Sequence, residues 1–356
     1  MEDTPTTGVH ITFEQVSKLF QRILHKNVCA ISESQISYNN RIYFVKCEEK
    51  EYILRLGGKH WRFFKTESEV ATLKLVNKYT TMPVPLVIHY SSNKEEIGHE
   101  YIIMEKISGV TLSTVWPKYN EKQRTTVLNQ VAHITKELMD LSFPTFGSIY
   151  FDTCEVGTKC LVSNYPGFVI GRSSRFEGGP YDSFTDFIRR TVEDALKRVE
   201  SNPSLYGKLV QLTPRVRQYI LETINSPTKN ELLNHTPICL THGDFDFRNF
   251  LVDEEGQITA VLDWEFAGPC TMDEEWSESY SFLKEDEQAK KYFTAKLQEI
   301  GGKVPSDLPG AEERSRLTTL RERICPWWLS NYHPDQREEI DKTINEAVND
   351  VIRLVN

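Results

Sequence analysis

The sequence predicts an α+β fold, with antiparallel strands gathered in the amino-terminal third and helices filling most of the rest. Three observations predict it. Short β-branched and aromatic runs at 42–48 and 52–56 flank the charged stretch Glu49-Lys50-Glu51, which reads as a hairpin. Apolar residues then recur at helical spacing through 121–142, 183–200, 205–224 and 336–355. Between the last two of these, residues 241–269 read THGDFDFRNFLVDEEGQITAVLDWEFAGP, a polar loop followed by a second hairpin.

Each element has its own signal. Thr12 and Gln15 are spaced as a capping box ahead of Val16, Leu19, Phe20 and Ile23, so a first helix is expected there. After the 42–56 hairpin, Val70, Leu73, Leu75 and Val76 give the segment around Glu69 an apolar helical face. Val127, Val131, Ile134 and Leu138 do the same for a long helix over 121–142. The stretch 143–182, rich in Gly, Pro, Ser and aromatics, reads as a long irregular connection, a class that is usually functional or mobile. Phe184, Phe187, Ile188, Val192 and Leu196 predict a helix over 183–200, another is expected at 205–224, and Ile340, Ile344, Ala347, Val351 and Val355 predict one over 336–355. Phe250-Leu251-Val252 reads as a strand, 253–257 as its polar turn, and Ile258 to Leu262 as the returning strand.

That second hairpin carries the chemistry. His242, Asp244 and Asn249 stand as H-x-D-x-x-x-x-N, and the hairpin brings Asp263 back beside Asn249. A carboxylate and an amide oxygen converging there suit Mg²⁺, a hard cation that takes oxygen ligands and borrows the rest from water and phosphates. Asp244 is left facing the acceptor as the base. Phosphoryl transfer asks little covalent chemistry of the protein, so one positioned base, a metal site and a hold on the phosphates nearly suffice. His242 is expected to hydrogen-bond backbone and hold the loop, not to move protons.

HGDFDFRN followed by LDWEFA resembles the aminoglycoside phosphotransferase and choline kinase family, small-molecule kinases that share the bilobal protein-kinase-like fold. Gly243 stands where protein kinases carry the Arg of H-R-D, and Trp264-Glu265 replaces the Phe-Gly of D-F-G. The resemblance extends over most of the chain, and FVIGR at 168–172 with GPYDSF at 179–184 is similar to an insert of fungal members. It implies a small antiparallel-sheet lobe over 1–107 that binds nucleotide, and a larger helical lobe over 108–356 with the catalytic loop, metal site and acceptor-binding helices. ATP and Mg²⁺ are the implied cofactors, and the hydroxyl of a small molecule the implied acceptor. Arg55 falls where the fold places a Lys on the nucleotide phosphates, with Glu69 as its natural partner and Glu67 as the rival. Adenine is expected on backbone groups of the hinge from Glu105 to Ile107. The phosphate-covering loop contains no glycine, which leaves Ser37, Asn39 and Asn40 as its donors and fits a slow enzyme or a pseudokinase better than an efficient protein kinase. A nucleotide-binding or interaction protein without turnover is therefore the alternative. A protein kinase is disfavoured by Gly243 and by the lack of D-F-G or A-P-E after Asp263.

Composition sets outer bounds. With 356 residues, 39% hydrophobic and 26% charged, the chain has an ample core, and disorder or a collagen-like architecture is excluded. No apolar run reaches the roughly 20 residues of a membrane-spanning helix, and the acidic, polar first residues lack a signal-peptide pattern, so a cytoplasmic address is expected. Seven cysteines without a C-x-x-C pair suggest free thiols and no zinc site. The net charge of −9 with no dense basic cluster argues against nucleic acid as a partner. Beyond Asp263 the run Glu265, Asp273, Glu274, Glu275 and Glu278, with Glu285-Asp286-Glu287 further on, predicts an acidic acceptor wall suited to an amine or quaternary ammonium. Trp264, Trp276 and Tyr280 could add cation–π contacts to it.

Overall fold

Helix α1 (Phe13–Leu24) starts where the capping box predicts: the Gln15 amide donates to Thr12 Oγ1 over 3.2 Å, and the Thr12 amide to Gln15 Oε1 over 2.9 Å. Its buried stripe of Val16, Leu19 and Phe20 packs on a five-stranded antiparallel sheet. The strands are β1 (Val28–Glu33), β2 (Asn40–Cys47), β3 (Glu51–Gly57), β4 (Val87–Ser91) and β5 (Tyr101–Glu105), in the order β1-β2-β3-β5-β4. The computed structural model describes residues 6, 8–34, 39–58, 64–176, 178–279, 286–326, 328–329 and 336–356, with backbone alone at 277–279. Ser37, Tyr280 and Glu285, and the side chain of Glu278, lie outside these.

Alternation along β3 buries Tyr52, Leu54 and Leu56 towards α1, while Arg55 on the other face meets helix α2 (Phe64–Tyr79). Helix α2 has little amphipathic character because it is covered on most sides: Val70, Ala71, Leu73, Leu75 and Val76 are all buried. They belong to a core that continues through helix α3 (Glu121–Asp140) into the hairpin of Phe250–Val252 and Ile258–Val261, so one hydrophobic core runs through both lobes. The hairpin is pinned from two sides. Val110–Thr111 pairs with Leu251 and Val252, and the Val261 amide donates to Pro83 O over 2.8 Å. A second core, of Phe184, Phe187, Ile188, Val192, Leu317, Leu320, Ile340 and Ile344 among others, fills the far end of the helical lobe.

Two segments differ from expectation. Residues 143–182 hold a small three-stranded sheet of Ser148–Phe151, Phe168–Gly171 and Cys160–Leu161, whose strands are too short to show a period beside their Gly and Pro neighbours. The helix expected at 205–224 is broken into Pro203–Tyr206, a 3₁₀ turn Gly207–Leu212 and Thr213–Asn225. Gly207, at φ 51, makes the break, and Pro214 opens the last piece.

Candidate active site

The catalytic-loop segment leaves the strand Ile238–Thr241, which pairs with Gly268–Thr271. His242 is fully buried, its ring 4.7 Å from that of Trp264. Its Nδ1 accepts the Asp244 amide at 3.3 Å and its Nε2 lies 2.9 Å from Leu262 O, an arrangement that requires the proton on Nε2. Burial pushes the imidazole pKa down, which keeps the ring neutral. Its role is that of a brace between the two halves of the site.

Gly243 has φ 79, and a Cβ built there would lie 2.7 Å from Phe266 O, so the Arg found in protein kinases has no room at this position. The Gly243 amide donates to Glu275 Oε2 over 3.1 Å, and the His242 amide donates to the same carboxylate. Glu275, 1% exposed, therefore holds the backbone of the loop through its His242 and Gly243 amides. Sequence reasoning placed Glu275 in the acidic acceptor wall and missed this; its position after the strand that pairs with the strand leading into the loop is the signal.

Asp244 is about a quarter exposed and carries two donors. Asn249 Nδ2 gives a 2.9 Å bond to Oδ2 and a 2.8 Å bond to the Asp244 carbonyl, and Arg248 donates to Oδ1. With its amide nitrogen committed to Asp244, Asn249 leaves its carbonyl oxygen available as a ligand. The hairpin closes as expected: the Leu262 amide donates to Asn249 O over 2.7 Å, and the next residue, Asp263, turns the chain at φ 63. Asp263 Oδ1 is buried without a hydrogen-bond partner. Burial, with Glu265 and Glu69 nearby, outweighs Arg55 and Lys65 and pushes its carboxyl up to about 7.

On the sheet side, Arg55 faces Glu69 in a two-pronged ion pair, with Nη1 2.6 Å from Oε1 and Nη2 bonded to Oε2. Burial opposes the charge on Arg55, but Glu69 outweighs it and holds the guanidinium pKa above its usual range. The rival Glu67 is taken by Tyr90, at 3.0 Å, and by Ser92, at 2.5 Å. The Glu105 amide donates to Leu86 O over 3.1 Å, and Ile107 lies half-buried before Val110–Thr111.

The acceptor residues are placed differently from expectation. Glu265 is 2% exposed and bonds Asn39, Asn40 and Lys65, so it faces the sheet lobe and not an acceptor wall. Asn39 and Asn40, expected as phosphate donors, spend these amide bonds on it. Asp273 and Glu274 are 3% and 1% exposed. Asp273 bonds Arg314 Nε, and Glu274 bonds Arg321 Nη2 and Thr318 Oγ1. The helix that carries them, Met272–Ser279, lies between the catalytic loop and the helix Ala311–Ile324, which converts an acidic run into internal contacts. Trp264 is core, donating Nε1 to Val261 O over 3.0 Å, and Trp276 packs on Phe293. Lys65, in the first turn of α2, and Arg248, on Asp244, are site residues that sequence reasoning did not single out.

Known proteins bear on this geometry. The solved structure of the ADP-bound aminoglycoside phosphotransferase APH(2'')-Ib superposes with a TM-score of 0.62 at 14% identity, covering 97% of this chain and 99% of that one, which shows the bilobal protein-kinase-like fold. A subtelomeric hrmA-associated cluster protein of Aspergillus fumigatus is 31% identical over 145 residues, 39% of this chain and 28% of that protein. Altered inheritance of mitochondria protein 9 of Saccharomyces cerevisiae, named mitochondrial, is 24% identical over 309 residues, 68% of this chain and 48% of that protein. The chain thus spans less than half the length of these two curated relatives. Among the described residues no helix is long and apolar enough to cross a membrane. The profile of the phosphotransferase enzyme family matches residues 32–275, a span that runs from the first strand of the sheet through the catalytic loop and the Asp263 hairpin to Glu275, and the chain belongs to that family.

Proposed function

We propose that the chain is an ATP- and Mg²⁺-dependent small-molecule kinase that transfers the γ-phosphoryl group of ATP to a hydroxyl of a small acceptor. The observation that carries this reading is the convergence of Asp244, Asn249 and Asp263, held by Asn249 Nδ2 on one side and by the Leu262 amide on the other. The ADP in the similar aminoglycoside phosphotransferase supports a nucleotide as donor.

A divalent cation fits the residues present. Asp263 offers a buried oxygen with no partner, on a carboxyl that burial has raised to about 7, and a cation would favour its ionised form. Asn249 would supply the second oxygen. Mg²⁺ bound there would neutralise charge on the phosphates. Asp244 aligns the acceptor hydroxyl and takes its proton; because the transferring group asks for alignment more than for a strong base, a carboxylate already held by Asn249 and Arg248 suffices. With Asp273 and Glu274 spent inside the fold, no sign of charge is proposed for the acceptor.

A second reading, a nucleotide-binding protein with weak or no turnover, is favoured by the grip of Asn39 and Asn40 on Glu265. A nucleotide-consumption screen over amino alcohols, sugars and aminoglycosides with Mg²⁺ separates the two. Under the first, turnover appears, and Asp244→Asn lowers kcat by about 10² to 10⁴ with ADP affinity near wild type. Mg²⁺-dependent ATP binding with no turnover on any acceptor selects the second.

A further inference from the structure

Three donors from the sheet lobe point at one carboxylate two residues beyond Asp263. Lys65 Nζ lies 2.6 Å from Glu265 Oε2, Asn40 Nδ2 lies 2.7 Å from the same oxygen, and Asn39 Nδ2 lies 2.7 Å from Oε1. Asn39 directly precedes β2 and Asn40 opens it, and Lys65 sits one turn before Glu69, the partner of Arg55. An ammonium and two amide N–H groups around a pair of anionic oxygens form the kind of donor set that a phosphate takes.

We propose that Lys65, Asn39 and Asn40 form a binding site for the phosphates of the nucleotide, and that the Glu265 carboxylate fills it as an internal stand-in until phosphate displaces it. The proposal rests on the nucleotide reading above. A buried Lys–Glu pair adds little stability over an apolar pair of the same volume, so stability alone is a weak reason to keep one here. The local charge balance gives a stronger one. Among the described residues, Glu69, Asp263 and Glu265 face Arg55 and Lys65 within this cluster. A phosphate arriving alone adds to an existing excess of negative charge, whereas one arriving with a divalent cation brings the compensation that a displaced Glu265 needs. The stand-in thereby makes phosphate capture depend on the metal.

Calorimetry without metal, using inorganic tripolyphosphate and adenosine as separate probes, tests this. Glu265→Gln is expected to bind tripolyphosphate about tenfold or more tightly than wild type, the worth of one charge-assisted hydrogen bond, with adenosine unchanged. Lys65→Met is expected to weaken tripolyphosphate by a similar factor and spare adenosine, with Lys65→Arg restoring much of the loss. Tripolyphosphate affinity unchanged or weaker in Glu265→Gln overturns the proposal, as does equal loss of both probes in Lys65→Met. Wild type provides a check that no folding defect can obscure. On saturation with Mg²⁺ and ADP, the side-chain amide NMR signals of Asn39 and Asn40 should shift, and with adenosine they should not. Nucleotide binding with those signals unmoved sinks this inference alone; a wild type that binds neither ADP nor ATP with Mg²⁺ sinks the kinase reading itself.

Discussion

Asp263 concentrates the tension of the site in one residue: a left-handed φ of 63 on a residue with a side chain, and a buried oxygen with no partner. Such conformations cost about 1–3 kcal/mol and persist where the surroundings over-determine them, here the Leu262 amide behind and the Trp264 turn ahead. The titration has a definite sign. The folded carboxyl, at about 7, lies above the ordinary value of 3.8, so the folded state binds the proton more tightly. Its contribution to stability is therefore complete below about 4 and is lost as pH rises through about 7. Without metal, Asp263→Asn is expected to be as stable as wild type at pH 4 and more stable at pH 8. Added Mg²⁺ should narrow or reverse the gap at pH 8. Urea unfolding midpoints of the two proteins with EDTA and with Mg²⁺ read this directly, and a gap that does not change with pH would refute it.

At the scale of elements, the helix Met272–Ser279 gives three consecutive carboxylates three different internal duties. Asp273 fixes Arg314, which itself donates to Pro309 O at 2.8 Å; Glu274 fixes Arg321; Glu275 holds the loop of His242 and Gly243. Burial drives the Asp273 pKa up. It also opposes ionisation of Glu274, but Arg321 and Arg175 outweigh it there and hold that carboxyl low. Arg321 also stacks its guanidinium 4.4 Å from the Phe176 ring. Arg321→Met should therefore cost about 3–5 kcal/mol by taking from the buried Glu274 the guanidinium bonded to it, whereas the double variant Glu274→Leu/Arg321→Met should recover most of that loss. Equal unfolding free energies for the single and double variants would show that the pair is not coupled.

Across the whole molecule, a core shared by α2, α3 and the Asp263 hairpin would make the proposed nucleotide binding a global event. Mg²⁺ with ADP at about 100 times Kd should stabilise the fold by about 2.7 kcal/mol, and Asp263→Asn should lose the share that depends on Mg²⁺. Thermal shifts of the two proteins with and without the metal measure that share; equal shifts would place the metal elsewhere. The sequence by itself determined what depends on near neighbours: the hairpin at 42–56, the helix around Glu69, the helices over 121–142, 183–200 and 336–355, the capping box at Thr12, and the loop and hairpin that set Asp244, Asn249 and Asp263 side by side. Spacing is a local property, and local hydrogen bonds enforce it. Only the tertiary structure chose Glu69 over Glu67, broke the 205–224 helix at Gly207, turned Glu265 and Asp273–Glu275 inward, and brought Lys65, Asn39 and Asn40 onto Glu265. The bond from Asn39 to Glu265 joins residues 226 positions apart, and that from Arg321 to Glu274 joins residues 47 apart. A carboxylate in a sequence shows its charge but not its partner, and burial, which decides whether that charge faces water, an arginine or a ligand, is a property of the packed chain.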